Sequence, residues 1–336
     1  MARVAKVAKA AKVPKAAKAQ KAQKVAVVAG STRGAGRGIA RALGEAGCIV
    51  YCTGRSVTGK PSPYNRPETI DETAALVTAA GGTGVAVRVD HTNESEVAAL
   101  FARVVEEHGH LDVLADSVAG EDPLLGGWTG MLNTDFTNAE AALRQSLLSR
   151  MITAKQAALV MKARKRGLIV EVTEHDLLGG GGNLVSAIAK SGVKLMANFL
   201  ADDLRKSRVA VVSLTPGFLR SETMLQHFGV TEANWRDGGK KDPHFLQSES
   251  PLFVGRAVAA LANDPNVMEK TGMILSSWEL GREYGFTDAD GRRPDWGEYG
   301  RKKVVPSMKW FREGLEHHAK WIDGLATRSR NYLNPH

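Results

Sequence analysis

Seven short apolar runs, each followed by a helix-like stretch, constrain this chain more than any other feature. They read "KVAVVAG" (24–30), "CIVYCTGR" (48–55), "GVAVRVDHT" (84–92), "LDVLADSVAG" (111–120), "GLIVEVTE" (167–174), "RVAVVSLTPG" (208–217) and "TGMILSS" (271–277). Runs of this length, rich in β-branched residues and ended by glycine or polar residues, are read as strands buried on both faces. The intervening segments carry helical spacing. Ile39, Ala42 and Leu43 share one face of "GAGRGIARALGEAG", and Val193, Ala197, Leu200 and Leu204 share one face of 186–206. Further helices are expected over "DETAALVTAAGG", "NESEVAALFARVVEEHG", roughly 134–163 and 251–263. Strand and helix alternate throughout, which predicts an α/β fold: a Rossmann-type, doubly wound parallel sheet of about seven strands with helices on both faces. No break splits 25–290, and a chain of 336 residues with 43% hydrophobic content has ample material for one core.

The two ends differ from this body. The net charge is +9, but Arg3 and lysines 6, 9, 12, 15, 18, 21 and 24 supply eight of those charges with no acid among them. The division expected is a basic low-complexity arm over 1–23, a folded domain over 24–290 and a C-terminal extension over 291–336 that carries Trp296, Trp310 and Trp321. The arm's period of three spreads lysine around a helix, Pro14 interrupts it, and no aromatic residue offers a stacking surface. It is read as disordered, and nucleic acid is not an expected partner of the body. Cys48 and Cys52 lie four apart in one strand, too far for a disulfide. No apolar run reaches the ~18 residues of a membrane span. The expectation is a cytoplasmic protein with no membrane association.

The chemistry starts after the first run. "AGSTRGAGRGIA" places Gly30, Gly34 and Gly36, with Ser31, Arg33 and Ala35, between a strand and a helix. Glycine there lets backbone approach a dinucleotide's pyrophosphate, and the helix N-terminus supplies unpaired N–H groups. The second run ends in "TGRS" rather than in an acid, so Arg55, with Arg33, suits the 2′-phosphate of NADP(H). Asp90 ends the third run, where it either accepts from an adenine amino group or caps the next helix.

These motifs, with "LDVL", "GLIVEVT", "LTPGFLRSE" and the helix that carries Lys190, resemble the short-chain dehydrogenase/reductases over roughly 24–290. The branch of dehydrogenase/reductase member 1-like proteins, with its "RPETI" stretch, is the nearest in pattern. The resemblance implies NAD(P) binding, hydride transfer to or from a small-molecule substrate, and a homodimer or homotetramer built on the long helices. It also implies a Ser–Tyr–Lys catalytic set. Thr173 matches the strand-five hydroxyl, Lys190 matches the lysine, and Pro216 and Gly217 match the segment beside the nicotinamide.

The tyrosine position in "NLVSAIAKSG" holds Ser186. A serine hydroxyl is a poor acid or base at neutral pH, so proton delivery is expected to be non-standard. "ADSVAG", with Asp116 and Ser117, also departs from the family's "NNAG". His175 is a candidate relay and Tyr64 a second; "LLGGGG" at 177–182 reads as a flexible lid or as a slack loop. Phe218, Met224, Phe228 and Trp235 either form an apolar lid over a hydrophobic or aromatic substrate or simply pack, and Ser221 is a further candidate contact. The expected function is NADPH-dependent reduction of a carbonyl, imine or enone. The other open reading is a non-redox isomerase, dehydratase or cyclase, or a binding protein, on the same fold.

Overall fold

Alternate residues of the first strand point into two different cores, and that division organises the molecule. Ala26 and Val28 pack with Ile39, Leu43 and Val254 on one side; Val25, Val27 and Ala29 pack with Val97, Phe101, Ala157 and Ala197 on the other. The computed structural model describes residues 23–61, 66–125, 130–174 and 183–304. Within them the strands are β1 Val25–Ala29, β2 Ile49–Gly54, β3 Thr83–Arg88, β4 Val113–Asp116, β5 Gly167–Val172, β6 Val209–Thr215 and β7 Ile274–Ser276. All pair in parallel, in the order β3-β2-β1-β4-β5-β6-β7. The order reverses between β1 and β4, the crevice at which such sheets bind ligands.

The helices are α1 Gly34–Glu45, α2 Ile70–Ala79, α3 Glu94–His108, α4 Asp122–Leu125, α5 Phe136–Leu143, α6 Ser149–Arg164, α7 Leu184–Leu204, α8 Glu222–Phe228, α9 Pro251–Asn263, α10 Ser277–Tyr284 and α11 Trp296–Tyr299. One core side is covered by α1, α2 and α9, and the other by α3, α6 and α7. The expected stretch over 134–163 is α5 and α6 joined through a π-helical turn, Arg144–Leu148. Local chemistry sets the ends. Thr69 and Glu72 form a capping box on α2, Asn93 caps α3, and Gly109 in the left-handed region stops α3. Helices α1 and α9 touch backbone to backbone: a Cβ on Gly38 would lie 1.9 Å from the Pro251 carbonyl oxygen.

Both cysteines are free and buried. One expectation needs correction. Leu184–Ser207 is long and apolar enough, by length and composition, to cross a membrane. The contiguous-run criterion missed it because small residues and two lysines interrupt the large apolar side chains. Its inner face, Val193, Ala197, Ala201 and Leu204, is packed on the sheet.

Candidate active site

All the sequence motifs lie at the carboxyl ends of parallel strands, on one edge of the sheet. At the end of β1, Gly30 has φ 73° and Gly34 φ 56°, conformations that favour glycine. A Cβ on Gly36 would lie 2.2 Å from the Gly30 carbonyl oxygen, so the turn is tight enough to exclude side chains there. The cradle suits a diphosphate: closely approached backbone, then the first N–H groups of α1. Ser31 is buried, and both its N–H (2.9 Å) and its hydroxyl (3.2 Å) donate to the Thr53 carbonyl. Its role is to tie β1 to β2. Arg33 precedes α1 in an extended conformation, with Ala35 in the first turn.

Two acids at this turn were not anticipated. Glu222, the first residue of α8, accepts a hydrogen bond from the Gly34 N–H at 2.7 Å and lies 3.8 Å from Arg37. Glu68 is buried, paired with Arg66 at 2.6 Å and within the field of Arg33. Burial works against its charge, but the Arg66 hydrogen bonds win and hold it below the usual carboxylate range. The reading from "TGRS" found no acid beside Arg33 because Glu68 arrives from a loop, not from β2.

Arg55 follows β2 and faces Asp90. Asp90 accepts from the Thr92 N–H (2.9 Å) and hydroxyl (2.7 Å). These bonds and the Arg55 charge outweigh its burial, so its pKa is low. The cap of α3 is Asn93, so Asp90 is not the helix cap.

Thr173 ends β5, and its hydroxyl donates to the Lys190 carbonyl at 3.4 Å. Ser186 lies one turn before Lys190 on α7. Lys190 Nζ is 3.1 Å from Glu121 Oε1 and 3.6 Å from Glu174 Oε1. Burial opposes the ammonium, but Glu121 and Glu174 together outweigh it and hold Lys190 above the usual lysine value. Glu121 is buried too; desolvation pushes its pKa up, Lys190 pushes it down, and the net shift is downward. Its second oxygen, Oε2, is buried with no hydrogen-bond partner among the described residues. The available signal was an acid directly after the glycine of "VAG", where the chain leaves β4.

Behind this pair sits a second buried network. Asp116 and Glu171 are register partners on β4 and β5. Arg150 reaches in from α6 and donates to the Asp116 carbonyl (2.8 Å), the Val118 carbonyl (3.1 Å) and Glu171 (3.3 Å). Burial first, then the adjacent Asp116, raises the Glu171 pKa against the pull of Arg150. The departure from "NNAG" is thus matched by an arginine that takes over the tie between β4 and the helix layer.

At the end of β6, the Gly217 N–H donates to Glu249 Oε2 (2.9 Å), which also accepts from the Ser277 hydroxyl (2.6 Å). Burial pushes Glu249 up to about 8. Pro216 carries the chain into this turn, and Trp296 of α11 packs over it: a Cβ on Gly217 would lie 2.8 Å from Trp296 Cβ. The apolar lid is largely occupied with itself. Phe228 and Trp235 are buried with Phe245, and Trp235 lies 4.2 Å, 4.6 Å and 4.7 Å from the guanidinium carbons of Arg220, Arg236 and Arg292. Of the four lid residues, Phe218 and Met224 are only partly buried. Ser221 caps α8 through the Met224 N–H at 3.3 Å. The expectations on Tyr64, His175, 177–182, Trp310 and Trp321, and on the arm over 1–22, fall outside the described residues.

The glycine turn, the Thr173–Lys190 pairing and the switch-point crevice define a nucleotide-dependent oxidoreductase fold, and the short chain dehydrogenase family model matches residues 24–229. The chain belongs to the short-chain dehydrogenase/reductase family, in the branch of dehydrogenase/reductase SDR family member 1. The protein of that name from Mus musculus is 34% identical over 312 residues, covering 89% of this chain and 95% of its own. The Homo sapiens protein is 32% identical over 282 residues, covering 80% and 84%. A putative dehydrogenase from Xanthomonas campestris superposes with a TM-score of 0.65 at 24% identity, covering 81% of this chain and 93% of its own. Members of the family are oxidoreductases that bind NAD(P)(H), act on small molecules and commonly form oligomers.

Proposed function

We propose that the protein is an NADPH-dependent reductase of a small, hydrophobic or aromatic carbonyl, imine or enone. The observation that carries this is Lys190, its side chain largely shielded and charged, with its backbone carbonyl joined to the Thr173 hydroxyl, on the same sheet edge as the glycine turn. A fold that had dropped redox chemistry would have no use for a desolvated ammonium there. Arg33 and Arg55 would hold a 2′-phosphate, the turn Gly30–Gly36 the diphosphate, Asp90 the adenine, and Pro216 with Gly217 the nicotinamide end. A bound NADPH supplies hydride. The Thr173 hydroxyl, once turned from the Lys190 carbonyl that it meets at 3.4 Å, would donate a hydrogen bond to the substrate heteroatom and orient it. Phe218 and Met224 exclude water from above, which strengthens each of these polar contacts. With serine at 186, the proton comes from elsewhere in the site.

A homo-oligomer is part of this reading. Leu159, Leu195 and Phe199 are 58%, 60% and 66% exposed along α6 and α7, an apolar face suited to a second copy. The packing of α7's other face on the sheet favours a soluble, cytoplasmic enzyme over a membrane-spanning one.

Calorimetric titration of the full chain with NADPH and NADH, followed by NADPH consumption on ketones, imines and enones, tests the proposal. NADPH should bind at least about tenfold tighter, as expected for ~1.4 kcal/mol of phosphate recognition. Binding of neither nucleotide would move the assignment to the non-redox isomerase, dehydratase or cyclase reading, which Ser186 favours.

A further inference from the structure

We propose that the Lys190 ammonium itself delivers the proton to the substrate heteroatom, with Glu121 as the residue that positions it. This rests on the reductase reading above and names the donor that reading leaves open.

Helical side chains lean toward the helix N-terminus, so Lys190 lies back over the turn that holds Ser186. A lysine stem spans roughly one 5.4 Å helical turn. A serine hydroxyl at 186 is too weak an acid to supply the proton, which leaves Nζ as the acidic group on this turn of α7. Glu121, from the loop after β4, fixes that group at 3.1 Å from a different element. Its free Oε2 is buried and has no partner among the described residues. Unpartnered carboxylate oxygens also occur on Asp116, Glu171 and Glu249; what sets Glu121 apart is that its other oxygen is paired directly with the protic Nζ of Lys190.

The step balances. Hydride from the reduced cofactor forms a C–H bond at the electrophilic carbon. The C=O or C=N π pair moves to the heteroatom, which takes one proton from Nζ as the N–H bond breaks. Lys190 is left as a neutral amine and regains a proton from water at Glu174, whose side chain is 69% exposed. The developing alkoxide or amide anion is far more basic than an amine, so the transfer runs downhill. The charged groups facing Nζ are Glu121, Glu174 and, opposing them, Arg150; Asp116 and Glu171 lie behind Arg150, and Lys194 is one turn further along α7.

The test uses the full chain labelled with [13Cε]lysine, in wild type, E121Q, K190R, S186Y and E121Q/S186Y. The Lys190 resonance is assigned by its absence in K190R. NADPH affinity and the pH profile of kcat are measured on the same samples. E121Q should lower the Lys190 titration midpoint by about one unit or more and move the alkaline limb of kcat by the same interval, with NADPH affinity changed by less than about threefold. K190R, whose guanidinium does not release a proton, should lose roughly 100-fold in kcat yet still bind NADPH. S186Y should make the E121Q effect on the alkaline limb small, since a phenol then supplies the proton. An alkaline limb that stays fixed in E121Q while the lysine midpoint moves overturns the assignment, as does full activity in K190R. Failure of the wild type to bind NADPH removes the reductase reading itself; normal binding with superimposable wild-type and E121Q profiles removes only the proton donor.

Discussion

Replacing Glu222 with glutamine should tighten NADPH binding. The carboxylate accepts from the Gly34 N–H at 2.7 Å, the donor at the start of α1 that a diphosphate requires. The two anions cannot share it, so α8 must release that contact when dinucleotide binds, and the energy of the contact is subtracted from the affinity. A hydrogen bond to a charged group contributes about 1.5–3 kcal/mol when buried. Glu222 is 27% exposed and Arg37 shares its charge, so solvent screening reduces this to about 1 kcal/mol. Glutamine keeps an acceptor but loses the charge, so the expected gain is roughly fivefold in Kd, larger at low ionic strength. Calorimetry on the full chain at two salt concentrations reads it directly. Thermal unfolding of the free protein should move the other way, by about 0.5–1 kcal/mol, because a charge at a helix N-terminus is lost. An unchanged or weaker Kd in E222Q would refute the argument, since Glu222 would then be ordering the turn rather than competing for it.

Three further outcomes are expected. Gly38→Ala should destabilise the fold by about 1–3 kcal/mol or more, because its Cβ would meet the Pro251 carbonyl at 1.9 Å and α1 would have to separate from α9; urea unfolding measures this, and a change below about 0.5 kcal/mol would contradict the packing. Glu249, raised to about 8 by burial, is protonated in the folded state and ionised in the unfolded chain between its unfolded pKa and about 8. The unfolded state then binds fewer protons, so stability falls as pH rises through that window; E249Q should flatten that fall in a pH series of melts, and an equally steep series in E249Q would count against it. Arg55→Ala should weaken NADPH by about tenfold while leaving NADH within about twofold, checked by the same titrations; an equal loss for both nucleotides would mean that Arg55 supports the turn through Asp90 instead.

All seven strands, their parallel pairing and the principal helices were legible from the chain. The runs of β1, β2, β4, β5 and β6 are buried along nearly their whole length, so their composition is almost free of surface residues; the edge strands β3 and β7 are partly exposed but keep a short apolar run. The glycine turn and the Thr173–Lys190 spacing were legible for a related reason: they depend on the backbone within a short stretch. The acids were not. Glu68, Glu222 and Glu249 stand in the sequence like any surface glutamate, and Glu121 carries only the weak signal of following the glycine of "VAG"; nothing local says which partner each will meet. Asp90 left two roles open because both need the same acid at the end of a strand; the Asn93 cap decided against one of them. Trp235 and Phe228 left lid and packing both open, and the choice depended on Phe245, which packs with them, and on the three arginines around Trp235.

The sequence by itself determined the sheet, the edge that carries the glycine turn and the side chains that local spacing aligns, because those follow from periodicity and backbone geometry. Only the tertiary structure decided the electrostatics of that edge. Which carboxylate faces Lys190, which blocks the α1 N-terminus and which is forced to hold its proton all depend on distances between loops from separate strands, and charge interactions are set by those distances and by burial rather than by order along the chain.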